Sequence, residues 1–228
     1  MTQDPGPGVK KTAVRALSRE NVLDHALAVA DDEGLDAVSV RGIAQHFGVT
    51  PMALYWHVKG KEELLEAMGD RMVTGIQLPA AQPDLGIEQF RALLSAVVDA
   101  LRQHPGCAEL AAARFLRCEA GQQVTERALA ILRTAGFSPR QSANLVRAAL
   151  HTSIMLVSGR PGAEIRVRRE ARVDAINAKQ VALRSLPSGR FPLLVESATV
   201  LTQAVDETAY YTAGIDLYMA GITELARQ

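Results

Sequence analysis

Between Val38 and Lys61 the apolar positions follow the helical period twice, with a glycine between the two runs. Val40, Ile43, Ala44 and Phe47 fall at i, i+3, i+4 and i+7, one face of a short helix. Ser39 stands where an N-cap hydroxyl accepts from an otherwise unpaired backbone N–H. Gly48 follows, a residue type that enters a left-handed turn without a Cβ clash. Val49 plugs the turn. Thr50 offers a second N-cap, and Pro51 takes the first helical position, where its missing N–H costs nothing. Met52 to His57 then makes a second helix of barely two turns. Helix, glycine turn, helix is the spacing of a helix-turn-helix, whose second helix enters the DNA major groove.

The remaining pattern predicts helices only. Ser18 caps a first helix with Leu17 and Val22 as a hydrophobic staple. Val22, Leu23, Ala26, Val29 and Ala30 form its buried stripe, and Gly34 ends it. Lys61 to Gly75 forms a fourth helix with Leu64, Leu65, Met68 and Met72 inward, and with Glu62 and Glu63 where the helix dipole favours them. The two-proline stretch from Leu78 to Gly86 marks a domain boundary. Beyond it helices are predicted over Ile87–Gln103, Ala108–Arg117, Gln122–Thr134, Ser138 to about Val157, Leu193–Gln203 and about Glu207 to Ala226. In Ala148–Leu150 and Ile154–Val157 apolar residues wrap almost all round, which predicts a helix buried on all sides. The fold class expected is all-α: a disordered basic arm (1–17), a helix-turn-helix DNA-binding domain (18–76) and a helical-bundle domain (77–228).

Charge sharpens the first of these domains. The 228 residues carry 25 basic and 25 acidic side chains, so the molecule as a whole is no polycation. Yet no Asp or Glu occurs from Ala37 to Lys61, where Arg41, Lys59 and Lys61 are present. Affinity for a duplex is mostly cation–phosphate contact, and such a surface must be clear of carboxylates. The region up to Ile76 as a whole holds 8 basic against 11 acidic residues, which argues the other way; the acids lie outside that window. Lys10, Lys11, Arg15 and Arg19 read either as an arm on phosphate or minor groove or as a solvated tail. The arginines at 160, 166, 168, 169 and 172 read as a solvated face or as a contact with a partner.

With 48 % hydrophobic but only 4 % aromatic residues, the composition fits close-packed helices. Cys107 and Cys118 make no disulfide framework and fit a reducing cytoplasm. No basic-then-apolar leader and no apolar run near the length of a membrane span is seen. The five histidines lack ligand spacing, so neither metal nor cofactor is expected. No nucleophile–base pair or phosphate loop is recognisable, so no enzyme is expected.

The run RGIAQHFGVTPMALYWHVKGKEELLEAM resembles the DNA-binding domain of the TetR family of bacterial transcriptional regulators. Leu54 to Lys59 with Lys61 is especially similar to the tetracycline repressors. The likeness covers roughly Ser18 to Val73 and continues more weakly beyond. It implies a homodimeric repressor that binds a two-fold DNA operator and is released by a small molecule. The fourth helix would link the two domains and swing like a pendulum. By resemblance Arg41 reaches a guanine edge or a phosphate, and Thr50, Tyr55, His57 and Lys61 clamp the backbone. Leu54 and Trp56 pack the domain, with Trp56 also placed to touch the backbone. The chain departs from the tetracycline repressors at Pro51, Met52 and Ala53, where they have polar residues. These three offer only apolar contacts, such as with thymine methyls.

The implied effector pocket is lined by Phe90, Leu94, Val97, Leu101, Arg114, Phe115, Ile131, His151 and Met155, with His151 and Arg114 as its polar groups. No histidine near Glu109–Ala113 matches the tetracycline repressors' magnesium ligand, so magnesium–tetracycline is not the expected effector; something more apolar is. The implied dimer interface draws on Leu145, Ala149, Leu156, Gly214, Tyr218, Gly221, Ile222 and Leu225. The main alternative is a helical small-molecule binding protein without specific DNA binding.

Overall fold

The computed structural model describes residues 17–82, 85–163, 169–203 and 205–227, and among them every regular element is helical. The arm up to residue 16, and the arginines at 166 and 168, lie outside the described residues.

Helix α1 (Arg19–Glu33) starts at Ser18, whose hydroxyl accepts from the Asn21 N–H at 3.2 Å. It ends where the Gly34 N–H donates to the Ala30 carbonyl. Its buried stripe is Val22, Leu23, Ala26, Leu27 and Ala30. A 3₁₀ turn, Leu35–Ala37, leads to α2 (Val40–His46), which Ser39 caps through the Gly42 N–H at 3.1 Å. Gly48 takes φ of 66°, a left-handed value that a side chain would strain. Helix α3 (Pro51–Leu54) is shorter than expected. Thr50 caps it through the Ala53 N–H, but regular α-helix stops at Leu54 and the chain closes as a turn, with the His57 and Val58 N–H groups both donating to the Leu54 carbonyl. Leu54 and Val58 are fully buried and anchor that turn. Helix α4 (Lys61–Thr74) buries Leu64, Ala67, Met68, Gly69, Met72 and Val73 against these elements and against the second half of the chain.

The second half holds α5 (Glu88–Leu101), α6 (Glu119–Thr134), α7 (Pro139–Ser158), α8 (Arg169–Arg184), α9 (Pro192–Glu196), α10 (Ala198–Thr202) and α11 (Glu207–Leu225). Between α5 and α6 the expected helix over 108–117 is instead a 3₁₀ segment, Pro105–Ala113. It packs against α1, α4, α5 and α7 at once. Small side chains at 106–108 and 111–113 permit that close contact on several sides. The helix expected over 193–203 is two short ones, α9 and α10.

Helix α7 opens on a capping box, Ser138 with Gln141, and crosses α5, α6 and α11. It is not buried on all sides within the subunit. Ser142, Ala149, Ser153, Ile154 and Val157 face in, while Ala148, His151 and Met155 face out. The α8–α10 unit packs on itself, and none of its residues joins the main hydrophobic core.

Candidate functional site

The N-terminal four helices present one surface with an unusual make-up. Met52 is 70 % exposed, Trp56 89 % and Tyr55 46 %, all above the sealed floor of Leu54 and Val58. The expectation that Trp56 packs the domain is thereby corrected: one residue past Tyr55 the turn carries the indole outward, and of Leu54 and Trp56 only Leu54 fills the core. Pro51 and Thr50 are exposed and Ala53 is half-buried beside them. The Thr50 Oγ1 accepts from the Ala53 N–H at 3.3 Å, which leaves its own O–H as a donor. Arg41 and Lys61 are exposed, and among the described residues neither is in an ion pair; His57 is half-buried between the turn and α4.

Lys61 begins α4, and Gly60 before it provides no side-chain cap, so first-turn N–H groups there remain open to an anion. The nearby Glu63 is turned back, accepting from the Lys59 N–H at 2.9 Å and lying 3.9 Å from Arg19. On the opposite side His25 of α1 stacks on His46 at the end of α2, ring centroids 3.5 Å apart, with Phe47 edge-on to both. Burial, with His46 adding to it, pulls the His25 pKa below the ordinary histidine value.

The second feature is a cavity in the bundle. Phe90, Leu93, Leu94 and Val97 of α5 line one wall, Val124, Thr125 and Ala128 of α6 another, and Val146, Ala149, Leu150 and Ser153 of α7 a third, with Phe115 at one end. About 390 Å³ of space, part of it open to solvent, lies at these walls, but a water-sized sphere's centre has only about 50 Å³ in which to move. A larger guest must therefore push the walls apart. The two hydroxyls are already used: Thr125 donates to the Gly121 carbonyl at 2.8 Å and Ser153 to the Ala149 carbonyl at 2.9 Å. The lining is accordingly apolar and offers no charge.

Phe90, Leu94, Val97 and Phe115 are the expected pocket residues that the structure brings together here. The other five are elsewhere. Leu101 is packed in the core a turn beyond Val97. Ile131 lines a separate cleft on the outside of α5 and α6. His151 and Met155 (64 % exposed) line an open hollow on the outer face of α7.

Arg114 points away from the cavity, to α4. Its guanidinium donates to both Asp70 oxygens at 2.6 and 3.0 Å and lies 3.5 Å from Glu66. The Asp70 hydrogen bonds raise its pKa. Sequence reasoning missed Leu93, Val124, Thr125, Ala128, Val146, Leu150 and Ser153 as lining; those of α7 share one helical stripe with Ala149.

The cavity and α4 share a tightly held neighbour. A Cβ on Gly69 of α4 would fall 2.8 Å from the Arg114 side chain and 2.9 Å from the Leu110 carbonyl oxygen. A Cβ on Gly121 of α6 would fall 2.5 Å from the Phe115 Cα. The stretch from Leu110 to Phe115 is thus clamped between two glycines, with Phe115 in the cavity wall and Arg114 on α4. A second tie joins α1 to the same region: Asp31 accepts from the Gly106 N–H at 3.0 Å and lies 2.8 Å from His104 Nδ1.

Helices α7 and α11 each expose apolar side chains. Met155 of α7 is open, as are Leu217 (78 %) and Leu225 of α11, and Gly221 of α11 is exposed. Leu156 is seated on Gly214, and the Tyr218 hydroxyl donates to the Leu145 carbonyl at 2.5 Å. Of the residues expected at a dimer interface, Ala149 and Ile222 instead face the subunit's own interior, because each falls on the inward stripe of its helix. Among the described residues no cluster of His, Cys, Asp or Glu could hold a metal, and no helix is long and apolar enough to cross a membrane.

Comparison with known proteins agrees across the whole chain. A family model described as bacterial regulatory proteins, tetR family, matches residues 22–68. A second, described as tetracyclin repressor-like, C-terminal domain, matches residues 78–226. The HTH-type transcriptional repressor DrrR1 of Streptomyces coeruleorubidus is 30 % identical over 201 residues, 83 % of this chain and 70 % of its own length. The class D tetracycline repressor protein of Escherichia coli is 40 % identical over 68 residues, 28 % of this chain and 31 % of its own. Among solved structures, ActR of Streptomyces coelicolor in complex with actinorhodin superposes with a TM-score of 0.63 at 26 % identity, covering 93 % of this chain and 99 % of that one.

Proposed function

The chain belongs to the TetR family of bacterial regulatory proteins, and from that premise we propose that it is a repressor that binds a two-fold DNA operator as a homodimer and is released by a small apolar effector. Residues 18–76 read the DNA; residues 77–228 bind the effector and dimerise. The observation that carries the DNA reading is the outward-turned Met52, Tyr55 and Trp56 in a window free of carboxylates, flanked by Arg41 and Lys61, neither in an ion pair among the described residues. Arg41 reaches a base edge or phosphate, and Thr50, Tyr55, His57 and Lys61 hold the backbone. Pro51, Met52, Ala53 and Trp56 add apolar contacts. A two-fold site follows from a dimer of such heads, and the exposed apolar side chains of α7 and α11 are the surface available for pairing.

For the effector, the self-satisfied hydroxyls and apolar lining favour an uncharged, largely apolar guest over magnesium–tetracycline. That ActR was solved in complex with actinorhodin supports a small-molecule effector, without bearing on its polarity. Because the space in the cavity is small, a guest larger than it displaces Phe115, and the glycine-clamped stretch passes that displacement through Arg114 and Asp70 to α4. The reciprocal consequence is that operator binding weakens effector binding by the same factor.

The test is titration against DNA from just upstream of the gene, and against a pool of randomised duplexes, at two salt concentrations. Tight binding with a steep salt slope, lost in Arg41→Ala/Lys61→Ala, is expected. Failure on both DNA samples would leave a helical small-molecule binding protein without specific DNA binding.

A further inference from the structure

A second cleft, separate from the effector cavity, lies between the linker joining α4 to α5 and the outer faces of α5 and α6. About 330 Å³ of space, part of it open to solvent, lies in it, of which a water-sized sphere's centre reaches about 60 Å³. Its floor is apolar: Ala92 and Leu93 of α5 and Ile131 of α6. Its rim is polar: Gln82, Gln89 and Arg127. The Gln89 amide organises that rim. Its oxygen accepts from the Gln82 N–H at 3.1 Å and from the Arg127 guanidinium at 3.4 Å, and its nitrogen donates to the Gly86 carbonyl at 3.4 Å.

Arg127 differs from Arg91, Arg114 and Arg160, which are half-buried as it is. Arg91 is paired with Glu88 and Asp216, Arg114 with Asp70 and Glu66, and Arg160 with Glu207. Among the described residues Arg127 has no carboxylate partner, only a neutral amide near the limit of hydrogen-bond length. A half-desolvated charge without a counter-charge is unfavourable, and a guanidinium fork is matched to a carboxylate.

We propose that this cleft is a binding site for a small lipophilic carboxylate, its acid on Arg127 and its alkyl or single-ring body on Leu93 and Ile131. The site does not depend on DNA binding. Leu93 lines both this cleft and the effector cavity, so a molecule in one bears on the wall of the other, and the two ligands influence each other reciprocally.

Calorimetric titration of the full chain, without DNA, with octanoate and with octanol tests this. Octanoate is expected to bind the wild type about tenfold more tightly than Arg127→Gln, the scale of a charge-assisted pair. Octanol is expected to bind both proteins alike. Gln89→Glu, which places a carboxylate beside Arg127, should remove octanoate binding and raise the thermal midpoint. Ala128→Phe, which fills the effector cavity and reaches the cleft only through Leu93, should shift the octanoate affinity without abolishing it and leave the preference for octanoate over octanol intact. The assignment is overturned if octanoate does not bind the wild type, if Arg127→Gln binds it equally well, or if Ala128→Phe alone abolishes the binding.

Discussion

The two ends of this molecule depart from ideal packing in opposite directions. At the reading head large apolar side chains are turned out to water above a sealed floor: Trp56 and Met52 are exposed while Leu54 between them is buried. In the bundle apolar side chains are turned inward but do not close, leaving the space between α5, α6 and α7. Neither arrangement stabilises the fold. Exposed indole forgoes burial, and an unfilled interior forgoes dispersion contacts. Where stability is forgone at a defined place, the side chains there are arranged for something absent, a partner surface at one end and a guest at the other.

That contrast is sharpest along α3 and its turn. Leu54→Ala should cost about 3 kcal/mol in urea unfolding, the usual range for a fully buried leucine. Trp56→Ala and Met52→Ala, two positions away on either side, should each change stability by less than about 0.5 kcal/mol while weakening DNA binding. Loss of stability in Trp56→Ala comparable to Leu54→Ala would break the comparison. Between the ends, a double-mutant cycle on Arg114→Ala and Asp70→Ala should return a coupling of about 1 kcal/mol, modest because Asp70 is partly solvated. The same pair should lose the effector's influence on DNA affinity. At the cavity, Ala128→Ile should gain about 1 kcal/mol by filling space and weaken effector binding. A destabilised Ala128→Ile would mean that the walls have no slack.

The smallest effect concerns pH. His25 has a lowered pKa in the fold, so on acidification the unfolded chain takes up its proton first. The stability tied to neutral His25 is complete above about pH 6.5 and is lost as pH falls toward the lowered value. Urea midpoints across that range should slope less in His25→Gln than in the wild type.

Much of this was legible in the sequence wherever the cause was local. Ser18, Ser39, Thr50 and Ser138 each cap the helix that they precede, and Gly48 takes the left-handed turn. The cavity was legible only in part. Phe90, Leu94, Val97 and Phe115 carry the helical period of their own segments, but α7 has apolar residues on two stripes. The stripe holding Val146 and Leu150 faces the cavity, and the one holding His151 and Met155 faces out. One residue of phase, about 100°, separates them, and no local signal says which stripe is inward. Arg114 was misplaced for a related reason: its partner Asp70 is 44 residues away, beyond any pattern read along the chain. Trp56 was misplaced because a large aromatic defaults to the interior unless the turn geometry is known.

The nine-residue segment Pro105–Ala113 is placed like the connecting rod of a linkage. A 3₁₀ helix advances about 2.0 Å per residue and an α-helix about 1.5 Å. Nine residues wound one way are therefore about 4.5 Å longer than the same nine wound the other. The segment is anchored to α1 through Asp31 at its start and followed at once by the Arg114 grip on α4. Any rewinding between those anchors has a stroke of that order available, and the gripping glycines leave it almost no backlash.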